Sequence, residues 1–330
     1  CPAPPSGEPD DAVLREQVDR GDDGDDEPRE HEVAADTRHE QHEIREHHDS
    51  RHEHAASRVD SARRRIAASP AERRNRGHRG DGGEVDREVE PEVCQALREM
   101  AAACDDLGLA RTASAFVGED SNPISPDPAV RAAAVDNLER AIDGAAVLGA
   151  DILIGGIYQA HKYFTGRAAT ADEWNWSAEY LHSCGEYAAG RGIRLGLEVL
   201  NRFEVFLVNT VADCRRMVEQ VCLENVGVHY DTHHANIEEP DPATALGQAA
   251  AVLNHVHLSE SHRGTLGTGQ VDWDGTFTAL RDIDYSGWLV LEAFGTSDPV
   301  LAGAANVWRE AFDSPEQLCR DGIAFIRSQL

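Results

Sequence analysis

The first 90 residues contain no phenylalanine, tyrosine, tryptophan, methionine or lysine, and a single leucine, Leu14. Such a segment cannot bury enough apolar surface to offset the entropy of ordering it, which excludes a hydrophobic core there. Basic residues are outnumbered over the whole chain: 31 Lys plus Arg face 60 Asp plus Glu, and Lys162 is the sole lysine. The formal charge of −29 excludes nucleic acid and anionic membrane surfaces as partners. CxxC pairs are absent, and the 7 cysteines are odd in number and scattered. That argues against a disulfide framework or zinc ribbon and makes a reducing cytoplasm the expected compartment. No apolar run approaches the roughly 18 residues of a membrane span. The acidic, polar N-terminus is unlike a secretory signal, and no GxGxxG follows a strand-like stretch to indicate a dinucleotide fold.

What residues 1–90 do contain is Asp, Glu, Arg and half of the chain's 16 histidines, as in EHEVAADTRHEQHEIREHHDSRHEH. Clustered histidines occur in metal-binding tracts, but amid so many charges a solvated segment is the expectation. The composition fits a GC-rich stretch read in a shifted frame better than a genuine disordered extension or a divergent folded segment. Cys1 in place of Met points to a fragment or a processed chain. Residues 1–90 are therefore expected to be low-complexity, disordered or misread, and residues 91–330 to form the folded domain.

From residue 91 helical and strand-like stretches alternate. EPEVCQALREMAAACDDLG reads as an amphipathic helix and ARTASAFVG as a strand. A helix follows with Ser125 as its N-cap and Pro126 at its first position. DILIGG, IRLGLEV, VGVHYD, LNHVHLSE and GWLVLEAF are further strands. The helices between them open at the capping box Thr170-x-x-Glu173, near Asp241-Pro242, over DWDGTFTALRDI and at Ser314-Pro315-Glu316-Gln317. Strands alternating with helices imply a parallel sheet with right-handed crossovers, either doubly wound and open or a (βα)8 TIM barrel.

The last four strands each present a metal-capable residue near the C-terminal end: Glu198, Asp231, His257 and Glu292. Side chains alternate across a strand. Gly196, His229, His255 and Val290 therefore share a face with these four, and Leu197, Val228, Val256, Leu289 and Leu291 take the other. Polar groups at strand C-termini build barrel active sites. Three carboxylates and one imidazole form a hard, oxygen-rich set suited to Mn²⁺ or Mg²⁺, with Co²⁺ possible. A satisfied structural role would explain any one of these residues, but not four in equivalent places.

GLEVLNRFEVFLVNT, YDTHHANIEE, HVHLSESHRGTLGTGQVDW and VLEAF resemble the ketose 3-epimerases. These are the D-tagatose and D-psicose 3-epimerases of the xylose-isomerase-like sugar isomerase/epimerase superfamily. The resemblance covers about residues 91–330 and implies a (βα)8 barrel with one divalent ion, commonly Mn²⁺, Co²⁺ or Mg²⁺. It assigns Glu198, Asp231, His257 and Glu292 as metal ligands. Glu198 and Glu292 also become the acid/base pair, and Glu204, His234 and Arg263 contact the substrate. The implied reaction inverts C3 of a free ketose through a cis-enediolate, and a homodimer or homotetramer is implied by resemblance only.

The barrel is expected to be incomplete at its N-terminus, because only six βα units are recognisable and residues 1–90 lack apolar strands. An open sheet leaves unpaired edges, so low stability or activity is the corresponding expectation. Other readings of the scaffold are an aldose–ketose isomerase, a hydroxypyruvate-type isomerase or an inosose dehydratase. From another class, a truncated, non-catalytic barrel would bind only metal or sugar.

Overall fold

A computed structural model describes residues 90–330. The expectations for residues 1–89 fall outside the described residues. The elements, in chain order, begin with helix α1 (Pro91–Asp106), strand β1 (Ala113–Ser114), a 3₁₀ turn (Glu119–Ser121), α2 (Pro128–Leu148) and β2 (Ile152–Gly155). They continue with α3 (Ala171–Ala189), β3 (Arg194–Glu198), α4 (Val211–Val221), β4 (Val226–Asp231), α5 (Thr232–Glu238) and α6 (Pro242–Gln248). The chain then runs through β5 (Leu253–Leu258), α7 (Trp273–Asp282), β6 (Leu289–Leu291), α8 (Pro299–Ala305) and α9 (Pro315–Gln329).

Most helix starts follow the sequence signals. Thr170 and Glu173 form a reciprocal capping box on α3, Asp241 caps α6, and Ser314 caps α9. The start of α2 differs from expectation. Asp127, not Ser125, is the N-cap, accepting from Ala129 N at 2.8 Å, and Pro128 rather than Pro126 opens the helix. In SPDP the residue before the second proline is sterically pushed out of the helical region, so no helix can begin before Pro128. The stretch ARTASAFVG also yields only a two-residue strand and an isolated bridge, Val117 to Ala160. β1 has β2 as its one neighbour among the described residues, so pairing on its other side does not extend it.

The six strands run parallel in the order β1-β2-β3-β4-β5-β6. A doubly wound sheet reverses its strand order at a switch point, whereas here winding proceeds one way throughout, as in a barrel. The result is a curled parallel half-barrel, a TIM barrel incomplete between β1 and β6 among the described residues.

Leu195, Leu197, Val226, Val228, Val256 and Leu258 turn outward and are buried. They form one core with Leu181, Cys184, Met217, Leu246 and Phe277 from the surrounding helices. Each such side chain contributes about 1.5–3 kcal/mol by leaving water. The opposite faces of β3, β4 and β5 are left for polar groups. No described helix is long and apolar enough to cross a membrane.

Candidate active site

The strand register sets which inward residues become neighbours. Glu198 pairs with His229, and His229 with His255; Asp231 pairs with His257, and His257 with Val290. An irregularity at Val228/His229 shifts β4 against β5, so that Val228 pairs with Leu253 and His229 with His255. Glu292 lies one residue beyond β6, its N–H donating to Leu258 O at 3.0 Å. Behind β3 the Tyr158 hydroxyl, fully buried, reaches Glu198 O at 2.9 Å and Val208 O at 3.2 Å.

Glu198, Asp231, His257 and Glu292 each offer one ligand atom to a group whose members all lie within 4.8 Å of one another. His257 Nδ1 faces all three acids, at 3.3 Å from Glu292 Oε1, 3.8 Å from Glu198 Oε1 and 3.9 Å from Asp231 Oδ2. It is buried and makes no well-formed hydrogen bond. Burial and the neighbouring Glu292 and Asp231 lift the Glu198 carboxyl well above the carboxylate range, against the pull of His257. Burial acts in the same sense on Glu292, but Arg263 and then His257 outweigh it and hold that acid down at about 2. For His257 burial works against the cation, yet Glu292 leads the acids in raising it to about 9.

The other three expected site residues adjoin this group. Arg263 is buried, with Nη1 donating to Asp231 Oδ2 at 3.0 Å, Ser259 Oγ at 2.9 Å and Glu292 Oε2. Its Nη2 lies 2.9 Å from His234 Nε2, while Asn201 N approaches His234 Nδ1 at 3.1 Å. A neutral imidazole has one acceptor nitrogen, and both of these neighbours can only donate. One of the two contacts therefore sets donor against donor, and Arg263 is held there by the carboxylates rather than by His234. Glu204 accepts from Asn201 Nδ2 at 3.0 Å and meets His161 Nε2 at 3.0 Å. Burial raises its pKa, but His161 and Arg263 bring it below the usual value. Glu204 and Arg263 line a cavity of about 590 Å³ together with Asn201, Phe203, His262 and Trp308; the four-residue cluster is not part of its lining.

No motif in the sequence assigns a role to Asn201, His161 or Glu260. Asn201 and Glu204 both lie in the NRFE stretch, a visible signal. Glu260 is fully buried, accepting from Ser261 N at 2.7 Å, Gly267 N at 3.0 Å, Gln270 N at 3.0 Å and Trp273 Nε1 at 3.0 Å. It ties down the loop that carries Arg263. Its signal was weak, because it falls out of phase with the inward alternation of His255, His257 and Ser259.

The Xylose isomerase-like TIM barrel family model matches residues 80–329. Ketose 3-epimerase from Arthrobacter globiformis is 38% identical over 71% of this chain and 81% of its own. L-ribulose 3-epimerase from Methylomonas sp. (strain DH-1) is 35% identical over 68% of this chain and 79% of its own. The solved structure of D-allulose 3-epimerase from Methylomonas sp. in complex with D-allulose superposes with a TM-score of 0.69. That match is at 32% identity and covers 74% of this chain and 85% of that one. The chain therefore belongs to the ketose 3-epimerase group of the xylose isomerase-like TIM barrels, a group of isomerase-class enzymes.

Proposed function

We propose that the protein inverts C3 of a free ketose through a cis-enediolate, with Glu198 and Glu292 as the acid/base pair. The observation that supports this best is the convergence of those two acids with Asp231 and His257 at the ends of four consecutive parallel strands. Three acids around one imidazole whose Nδ1 lacks a sound hydrogen bond are the donor set of a hard divalent cation. Glu198, Asp231, His257 and Glu292 would hold it, with Mn²⁺ the best fit and Co²⁺ or Mg²⁺ next. When bound it supplies Lewis-acid stabilisation of the negative oxygen that builds up as the C3 proton leaves.

The remaining chemistry belongs to the chain. One glutamate takes the C3 proton from one face of the sugar, and the other returns a proton to the opposite face. Arg263 and His234 donate to sugar oxygens, and Glu204, oriented by Asn201 and His161, accepts from a hydroxyl. The cavity beside Glu204 and Arg263 gives the sugar its approach.

The test is proton NMR of D-fructose and D-tagatose in D₂O with Mn²⁺, beside a Glu292→Gln control. Deuterium at C3 with the parent protein and not with the control is the expected outcome. Deuterium at C1 or C2 instead moves the chain to the aldose–ketose isomerases. Metal binding with no exchange leaves a non-catalytic barrel.

A further inference from the structure

Two histidines beside the acidic cluster have no part in the proposed chemistry. His229 on β4 and His255 on β5 are 0% exposed, and none of their four ring nitrogens has a hydrogen-bond partner. With His257 they make a second group whose ligand nitrogens all lie within 4.8 Å of one another. The ring centroids are 4.7 Å apart for His229–His255, 4.2 Å for His229–His257 and 5.1 Å for His255–His257, with steeply inclined planes. Packing alone does not explain this. A buried imidazole normally finds a partner for its N–H and another for its lone pair. Three of them crowded together supply one another with neither. A cation resolves the conflict, because each ring can turn a lone pair to it. His229 Nδ1 lies 3.8 Å from Glu198 Oε2, beyond hydrogen-bond reach, so that carboxyl leaves the ring unpartnered.

We propose that His229, His255 and His257 form an imidazole-only site for a borderline divalent cation of the Zn²⁺, Ni²⁺ or Cu²⁺ class. Imidazole favours these ions, whereas the carboxylate group favours Mn²⁺ or Mg²⁺. His257 belongs to both groups, and its Nδ1 is the nitrogen that faces the three acids. An ion on the three histidines that takes this same nitrogen draws His257 from the acids and lowers affinity for the hard ion there. This competition rests on the metal assignment under the proposed function; the three-histidine site itself does not.

The test uses the full chain, Cu²⁺ and Mn²⁺ as probes, and electron paramagnetic resonance. Metal-free protein is titrated with Cu²⁺, and the His229→Leu and His255→Leu variants are treated alike. Other histidines, including those of residues 1–90, are present in all three proteins and cancel in the comparison. The expected difference spectrum is one equivalent of Cu²⁺ with three-nitrogen splitting, lost in both variants, with Cu²⁺ affinity for that equivalent at least tenfold weaker. Mn²⁺ affinity in the variants stays within threefold of the parent, and Cu²⁺ added to Mn²⁺-loaded parent releases the six-line aqueous Mn²⁺ signal. Leucine in place of an unpartnered buried imidazole leaves the metal-free Tm equal or higher, so the variants report on the site rather than on folding. Should leucine lower Tm by more than a few degrees, the His229→Gln and His255→Gln pair gives the same comparison with polarity kept. Identical Cu²⁺ spectra and affinities in parent and variants overturn the site. Cu²⁺ on three nitrogens with Mn²⁺ still bound overturns the competition. Failure of Mn²⁺ to bind the parent, with the three-nitrogen signal intact, instead overturns the carboxylate assignment.

Discussion

Arg263 Nη1 donates to Asp231 Oδ2 at 3.0 Å, so a buried guanidinium stands against the acids that the cluster would offer to a cation. In the metal-free protein Arg263 is the positive charge closest to Asp231 and Glu292 among the hydrogen bonds they make. Removing one partner of a buried ion pair leaves the other uncompensated, which costs about 3–5 kcal/mol. Arg263→Ala is therefore expected to lower the stability of the chelated protein by about that amount, and of the Mn²⁺-loaded protein by clearly less. Urea unfolding with EDTA and with Mn²⁺ checks this. Equal losses in the two conditions would show that Arg263 and the metal do not share those acids.

Replacing either member of the proposed acid/base pair should remove exchange while leaving the fold. Glu198→Gln and Glu292→Gln are each expected to reduce C3 deuterium incorporation by about 10²–10⁴-fold, the usual contribution of a positioned general acid or base. Circular dichroism should remain that of the parent. Retention of more than a tenth of the rate in either variant would exclude that residue from proton transfer.

The loop bearing Arg263 depends on the ionised form of Glu260. Burial alone would raise this acid, but the N–H groups of Ser261, Trp273 and Val271 outweigh it and keep its pKa below the usual value. An acid whose folded value is depressed stabilises fully above the unfolded value, about 4.3 for glutamate, and loses that contribution as pH falls through the folded value. Glu260→Ala should cost about 1–3 kcal/mol or more near neutral pH, because several buried donors lose their acceptor, and the deficit should shrink in acid. Stability measured from pH 7 to pH 3 tests this, and a deficit that does not change with pH would refute it. A Cβ at Gly269 would run into the Glu260 carboxylate and Ser261 Oγ, so Gly269→Ala should weaken the same loop by displacing the acid while keeping it in the chain.

Tyr158 positions β3 from behind. Its hydroxyl reaches the carbonyls of Glu198 and Val208, and Tyr158→Phe leaves both without it. A loss of about 0.5–1.5 kcal/mol in stability is expected. Because the strand end carrying Glu198 loosens, kcat should fall several-fold with KM little changed. A raised KM at constant kcat would place the effect on sugar binding instead.

Much of this is legible in the amino-acid sequence. The 2-residue alternation of GLEV, VHYD and HVHL put Glu198, Asp231 and His257 on one face and Leu197, Val228 and Val256 on the other, because a pleated strand leaves no other arrangement. Capping residues marked the starts of α3, α6 and α9, since their side chains satisfy backbone N–H groups that any helix leaves open. The start of α2 was misplaced because SPDP offers two cap-plus-proline pairs, and only backbone sterics at Asp127 choose between them.

The alternation could not say how strands align with one another. The pairing of Glu198 with His229 and of Asp231 with His257, and the irregularity at Val228/His229, are properties of the sheet. They decide that two further histidines converge beside the acids. Likewise, nothing local revealed that Arg263, on a loop rich in polar residues, is buried against Asp231 and Glu292. Nor could it show Glu260 gathering the donors of its own loop. Local sequence determined which residues point inward, since that depends on neighbouring peptides alone. Which of them meet depends on contacts between residues far apart in the chain, and only the lateral pairing of the strands supplies those.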